Sequence, residues 1–295
     1  MPEIIFNQVT KVFEDDKGLF DFNVIVEEGS AFGLIGPAAA GKSTALSLLM
    51  GFLLPDSGTC SISGQDPFHH RRTLGKDIGY VPRDAHLPRG CTGDQFIRLI
   101  SAVRGDVSRK RTQELMERLD CNPLGDWRYM PADQQRKVVL MLGFMHSPRI
   151  YLLDEPCAGL DPNTRNEVLN LIDEEHKAGK TIFMCSHVFE EAQRCCDRVG
   201  IIRAGRLVTV QSAQALTYTR QKVYHITFAD ITQAAAFQQE WETGAELLRN
   251  RVIVAIPASP QVLLKTLSKY EVLDLVGGRQ EGEESFLRYH GDDML

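Results

Sequence analysis

A chain of 295 residues has room for one large domain with a small companion, or for two medium domains. Its 43% hydrophobic and 24% charged residues exclude disorder over the bulk of the chain. With 33 Lys+Arg against 39 Asp+Glu the formal charge is −6, so the basic excess of a duplex-DNA binder is missing and nucleic acid is not an expected partner.

The first residues, Met1-Pro2-Glu3-Ile4-Ile5-Phe6, have neither the basic start nor the apolar core of a signal peptide. The longest apolar run, Val138 to Met145, falls well short of the ~20 residues a membrane span needs. The 7 cysteines are scattered and form no C-x-x-C pair, which argues against zinc and for a reducing compartment. A soluble cytoplasmic protein is expected.

Alternating apolar and polar positions in Ile4 to Phe6 and Phe20 to Val26 predict strands of a half-buried antiparallel sheet. Ala31 to Ile35 reads as a short buried strand, Lys42 to Met50 as a helix, Pro55 to Gly58 as a turn and Thr59 to Ser63 as a strand. From Ile97 to Met145 the apolar spacing is mainly helical. Arg149 to Leu153 and Thr181 to Cys185 then read as strands, and Asn163 to Ala178 and Val188 to Cys195 as helices. Strands alternating with helices predict a mostly parallel sheet. The rhythm breaks near Gln211, and residues 213–221 read as a linker. Strand, helix, strand, helix and strand follow between Val223 and Val276, predicting a small α+β domain of ferredoxin-like topology. The expected domains are therefore 1–212 and 222–295.

Gly36-Pro37-Ala38-Ala39-Ala40-Gly41-Lys42-Ser43 matches the phosphate loop G-x-x-x-x-G-K-S/T, between a buried strand and a helix as its mechanism requires. Gly41 lets the backbone approach the phosphates closely, and successive amides form an anion-binding nest; Gly36 and Ala40 are further cofactor-binding positions of the loop. Lys42 supplies a cation for the β- and γ-phosphates, and Ser43 a hydroxyl ligand for Mg²⁺. Ser43 and Thr44 also lie in the first helical turn, where the dipole favours anions. ATP and Mg²⁺ are the expected cofactors.

Farther along, the apolar strand Ile150 to Leu153 ends in Asp154-Glu155-Pro156. Asp154 is placed to hold Mg²⁺ through water, and Glu155 to polarise an attacking water. Adjacent acids can also merely cap a loop, but the following Ala158-Gly159-Leu160-Asp161-Pro162 favours the catalytic reading. His187 closes the next strand, at the ligand-binding edge of such a sheet.

In this order the pieces resemble the nucleotide-binding subunit of ABC transporters, over about residues 1–212. The resemblance implies the α/β fold of a P-loop ABC ATPase: a mostly parallel core sheet, an antiparallel β subdomain and a helical subdomain. It also implies that Phe13 stacks on adenine, Glu155 activates water, His187 contacts the γ-phosphate and Asp161 lies in the dimer-contacting D-loop. Two cassettes would sandwich two ATP molecules, each held by one subunit's phosphate loop and the other's signature helix. The expected partners are a separate membrane permease and a second ABC ATPase, at the cytoplasmic face of the membrane. Within the family the chain resembles drug and peptide exporters of the bacitracin- or daunorubicin-resistance type, whose C-terminal extension often ends in a phrase like Glu284-Ser285-Phe286-Leu287-Arg288.

Two departures stand out. The family signature Leu-Ser-Gly-Gly-Gln falls on Met130-Pro131-Ala132-Asp133-Gln134, opening a helix expected over Gln135 to Met145. The serine for the γ-phosphate is missing and a carboxylate replaces a bare glycine amide. Like charges about 4 Å apart repel by about 1 kcal/mol in water and about 4 in a partly dry interface. Arg83 stands where the family has glutamine; a guanidinium cannot ligate a cation, though it can reach a phosphate. Ala38-Ala39 in place of Asn-Gly is a milder change.

The degenerate signature favours an asymmetric heterodimer over a homodimer. A mainly regulatory subunit with little turnover, or a cytoplasmic ABC protein acting on ribosomes or DNA, are the alternatives. His69-His70-Arg71-Arg72 reads as a solvated loop, and the isolated His225 and His290 as structural residues. The end of the chain is acidic, with Glu281 to Glu284 and Asp292-Asp293, which suits solvent or a basic partner patch.

Overall fold

The computed structural model describes residues 1–13, 17–85, 90–105, 107–214, 222–241, 245–256 and 260–278. The C-terminal motif 284–288, the acidic positions after 280, His290 and most of the expected linker lie outside them. The chain divides into two compact units, Met1–Ala213 and Gln214–Leu295.

In the first unit, β1 (Pro2–Val12) and β2 (Gly18–Glu27) pair antiparallel. Alternate residues of β2 are buried, as the period-two pattern demands. The chain continues through β3 (Ala31–Ile35), α1 (Lys42–Leu49) and β4 (Ser57–Ile62), the last completing a three-stranded sheet in the order β2-β1-β4. Next come α2 (Pro67–Asp77), β5 (Ile78–Val81), α3 (Gly93–Arg104), α4 (Arg109–Arg118), a 3-10 turn at Trp127–Tyr129 and α5 (Ala132–Phe144). The remaining elements are β6 (Ile150–Asp154), α6 (Pro162–Lys177), β7 (Thr181–Ser186), α7 (Phe189–Cys195), β8 (Arg198–Arg203) and β9 (Arg206–Ser212).

The central sheet runs β5-β6-β7-β3-β8-β9, parallel except for the antiparallel β8–β9 pair. Every residue of β3, β6 and β7 is buried, as in a sheet covered on both faces; the antiparallel sheet supplies part of the cover, its Phe6 ring lying 6.1 Å from that of Phe183. The fold is thus α/β, with a mixed, mostly parallel core sheet beside an antiparallel one. The parallel strands β3, β6 and β7 send their C-terminal ends, bearing Gly36, Glu155 and His187, to one edge.

Several local readings change. The signature helix begins at Ala132 rather than Gln135, with Pro131 as its N-cap at φ −53 and ψ 145; a proline there forfeits no intrahelical bond. His69 to Arg72 sit on α2, not in a loop. Asp66 caps that helix through the Phe68 and His69 amides, and Pro67 occupies its first position. The surface remains exposed, and the solvated reading survives on a helix. The short strand β5 and the β8–β9 hairpin escaped the sequence patterns. α4 is tied to α6 by Arg118, which forms a two-pronged pair with Glu174 at 2.7 Å on each prong and a further bond to Glu167.

The second unit holds β10 (Lys222–Phe228), α8 (Ile231–Glu240), β11 (Ala245–Leu248), β12 (Arg251–Ile256), α9 (Gln261–Leu267) and β13 (Val272–Gly278). Its four strands are all antiparallel in the order β11-β12-β10-β13. This is the βαββαβ ferredoxin-like arrangement. The sequence reading missed β11, four residues of which only two are partly buried. Ile226, Phe228, Phe237, Val252, Val254 and Leu263 form the core, where the Phe228 and Phe237 rings lie 5.1 Å apart.

Candidate functional site

The loop after β3 is shaped by close backbone packing. A Cβ on Gly36 would lie 2.3 Å from the Ile202 carbonyl, so only glycine fits. Gly41 takes φ +107 as the N-cap of α1, and it gives no side-chain cap to the first helical amides. Those amides lack intrahelical partners and carry the positive end of the helix dipole, the arrangement that binds anions. Ala39 holds φ +63, a conformation that costs a residue with a Cβ about 1–2 kcal/mol. The exchange of glycine for alanine at this position is therefore less mild than the motif suggests.

Lys42 is buried and folds back over its own loop. Its Nζ donates to the Gly36 carbonyl and, at 3.0 Å, to that of Pro37. The same ammonium lies 3.4 Å from Glu155 Oε1. Glu155 is 3% exposed, and its second oxygen accepts from His187 Nδ1 at 2.6 Å and from the His187 amide at 3.2 Å. Lys42 at the head of α1 and His187 after β7 thus meet around the one carboxylate that follows β6. Glu155 itself stands at φ +49.

Asp154, also 3% exposed, keeps one carboxylate oxygen, Oδ1, without a partner. Burial pushes its pKa up, the facing Ser43 hydroxyl opposes that shift, and the like charge of Glu155 adds to it. Lys42 and the exposed Arg83 act on the same carboxylate from a distance, both lowering its pKa. An orphaned buried carboxylate oxygen beside a hydroxyl is an oxygen-donor pair of the kind Mg²⁺ takes alongside phosphate and water. The residues present fit that ion.

The turn around His187 is braced from behind. Ser186 Oγ accepts from the Val188 amide at 2.9 Å and donates to the buried Glu191 at 2.7 Å, and Arg165 of α6 meets Glu191 at 3.0 Å. Asp161 caps α6 through the Asn163 and Thr164 amides, at 2.9 and 3.1 Å.

The structure brings together Gly36, Ala40, Gly41, Lys42, Ser43, Asp154, Glu155 and His187, with Thr44 in the first turn of α1. Phe13 stands apart. It follows β1, is 43% exposed, and has Lys11 Nζ 6.0 Å from its ring centroid. At the signature position Pro131 and Ala132 are exposed and Asp133 is half-buried in the first turn of α5. Gln134 turns inward, accepting from the Asn122 amide at 2.8 Å. Arg136 was overlooked in the sequence, although its spacing from Leu140 and Phe144 puts it on the buried side of α5. Its guanidinium reaches the carbonyls of Pro82, Arg83, Asp154, Glu155 and Pro156.

Comparison with known proteins gives this geometry a family. The ABC transporter family pattern matches residues 19–158. An uncharacterized ABC transporter ATP-binding protein of Nostoc sp. is 34% identical over 212 residues, which cover 69% of this chain and 62% of the relative. A Nod factor export ATP-binding protein I of Sinorhizobium fredii is 31% identical, covering 72% and 64%. The chain thus spans a little under two thirds of these two relatives. The Nod factor export ATP-binding protein I of Burkholderia orbicola is 30% identical across 99% of this chain and 98% of its own length. In fold, the chain is similar to an ATP-binding subunit of an ABC transporter, with a TM-score of 0.65 at 24% identity over 72% of this chain and 91% of the other. It is likewise similar to a dimeric post-hydrolysis ATP-binding cassette bound to ADP and Pi, with a TM-score of 0.64 at 21% identity over 71% and 98%. With a relative matched almost end to end, the chain belongs to the ABC transporter ATP-binding proteins.

Proposed function

We propose that this chain binds Mg-ATP on the Gly36–Thr44 loop and hydrolyses it to drive a separate membrane permease, as the ATP-binding subunit of an exporter. The observation that carries the reading is the meeting of Lys42, Glu155 and His187 at one carboxylate, beside the orphaned oxygen of Asp154. The loop amides and Lys42 hold the β- and γ-phosphates, and Phe13 stacks on adenine. Glu155 takes the proton of the attacking water, which adds in line to the γ-phosphorus as the bond to the ADP oxygen breaks. His187, already bonded to Glu155, orients that base and faces the γ-phosphate. Ser43 and Asp154 would hold Mg²⁺, which supplies charge neutralisation on the phosphates. Arg83 cannot replace a metal-binding glutamine; it offers a cation to the same phosphates.

Export is supported by the names of the Nod factor export relatives. Among the described residues no helix is long and apolar enough to cross a membrane. In this reading the permease is a separate chain and this one sits peripherally on its cytoplasmic face. The second unit, with its small closed core, is read as an accessory domain for regulation or assembly.

In this reading the chain pairs with a different cassette. In a self-pair, Pro131 and the Asp133 carboxylate would face each γ-phosphate, where repulsion opposes closure. A partner with an intact signature completes the site built on Glu155. Purification of the transporter with its native subunits, followed by intact-complex mass spectrometry and ATPase assay, tests this. One copy of this chain beside one copy of a second cassette is expected. A homodimer with brisk turnover contradicts it. Pro131 and Asp133 equally favour a second reading, a regulatory ATP-binding subunit. In that case Glu155→Gln leaves the turnover of the complex unchanged.

A further inference from the structure

We infer that Arg136 is a positioning residue, clamping the strained turn from which Glu155 faces the attacking water; the inference rests on the hydrolytic reading above. Arg136 lies on α5, four residues beyond Ala132, and is 8% exposed. A buried guanidinium is costly unless its donors are satisfied. Every hydrogen bond it makes among the described residues ends on a backbone carbonyl. Nη1 donates to Pro82 at 2.5 Å and to Arg83 at 3.1 Å. Nη2 donates to Asp154 at 3.0 Å and to Glu155 at 2.6 Å, and Nε to Pro156 at 3.3 Å.

Three successive carbonyls, from Asp154, Glu155 and Pro156, therefore point at one cation. Extended backbone turns consecutive carbonyls to opposite sides, so their convergence requires a break in the strand. The break is at Glu155, whose φ of +49 is a strained conformation for a residue with a Cβ. Glycine would adopt that φ freely, yet glycine has no carboxylate to offer as a base. The chain keeps the acid and the left-handed turn together by neutralising the crowded carbonyl dipoles with a fixed positive charge. The same guanidinium holds the carbonyls of Pro82 and Arg83 at the end of β5. One side chain on the signature helix thus fixes both the backbone under the base and the segment carrying Arg83. Only the planar fork of arginine serves five carbonyls in two chain segments; a lysine has one nitrogen to share among them.

The test uses the full-length chain in its assembled transporter, with Arg136→Gln and Arg136→Lys beside wild type. Three quantities are read: affinity for a fluorescent ATP analogue with Mg²⁺, the kcat and KM of ATP hydrolysis, and hydrogen exchange of the Ala158 amide. That amide bonds the Glu155 carbonyl at 3.0 Å and reports on the turn directly. For Arg136→Gln we expect analogue affinity and KM to stay within about threefold of wild type. Its kcat should drop by about tenfold or more, the scale of a slightly misplaced catalytic group. Ala158 should exchange faster while β3 amides stay protected. Arg136→Lys should fall between the two, and it carries the test if the glutamine variant does not fold. Unchanged kcat and Ala158 protection in the folded variants overturn the inference, as does an equal loss of affinity and turnover, which marks a general folding role. A wild-type chain that binds no analogue refutes the hydrolytic reading instead.

Discussion

Lys42 Nζ lies 3.4 Å from Glu155 Oε1, so the ammonium at the head of α1 and the carboxylate that follows β6 hold one another. Both groups are buried, where a lone charge is costly, and each offsets the other's burial. In the proposed reading a γ-phosphate competes with Glu155 for that ammonium, so that nucleotide binding and freeing of the base are one event.

Glu155→Gln removes the rival carboxylate and the base together. We expect the variant to bind Mg-ATP at least as tightly as wild type. Its steady-state turnover in the assembled transporter should be lower by about 100-fold or more, as for loss of a general base. Single-turnover assays separate the two effects. Unaffected hydrolysis would place the working base elsewhere in the complex.

Asp154→Asn tests the metal reading. The aspartate is a buried charge with an unpartnered oxygen, so without Mg²⁺ the amide should raise stability by about 1 kcal/mol. The same change should erase most of the dependence of ATP-analogue affinity on Mg²⁺. Thermal melts and titrations with and without EDTA decide. A destabilised variant with intact Mg²⁺ dependence would show that the carboxylate serves structure alone.

Ala39→Gly relieves a φ of +63 that alanine tolerates poorly. An increase in unfolding free energy of about 1 kcal/mol is expected, read from the shift in urea midpoint at constant slope. No change, or a loss, would mean that the loop relaxes around alanine without strain.

The phosphate loop, the Asp154-Glu155 strand end and His187 were legible in the sequence because each rests on a short local pattern beside a fully apolar strand. The alternation in β2 and the buried runs of β3, β6 and β7 are likewise carried by their own residues. What escaped depends on partners distant in sequence. β11 is four residues long and gains its identity from pairing with β12. β5 becomes a strand by lying along β6, and Arg136 acquires its role from carbonyls 18 to 54 residues away. The helical content of His69 to Arg72 was hidden by its polarity, whereas the Asp66-Pro67 cap that starts α2 was there to be read.

Truncation after Ala213, where the first unit ends, should leave Mg-ATP affinity within about threefold of the full chain, since all the gathered site residues lie before it. Assembly with the permease or coupled turnover should change. Native gels and ATPase assays of the reconstituted complex measure both. Loss of nucleotide binding in a well-folded truncate would show that the second unit contributes to the site.

Lys42 is the residue on which nucleotide binding by this loop most directly depends in the proposed reading. Titration of the wild-type, Lys42→Ala and Phe13→Ala chains with a fluorescent ATP analogue and Mg²⁺ measures what the phosphate loop and the ring each contribute. Saturable binding is expected for wild type, with a loss of about 1 kcal/mol or more for Phe13→Ala as stacking is removed. No measurable binding is expected for Lys42→Ala, whose charge-assisted contact to the phosphates is gone. Wild-type affinity in a folded Lys42→Ala chain would contradict the assignment of this loop as the nucleotide site.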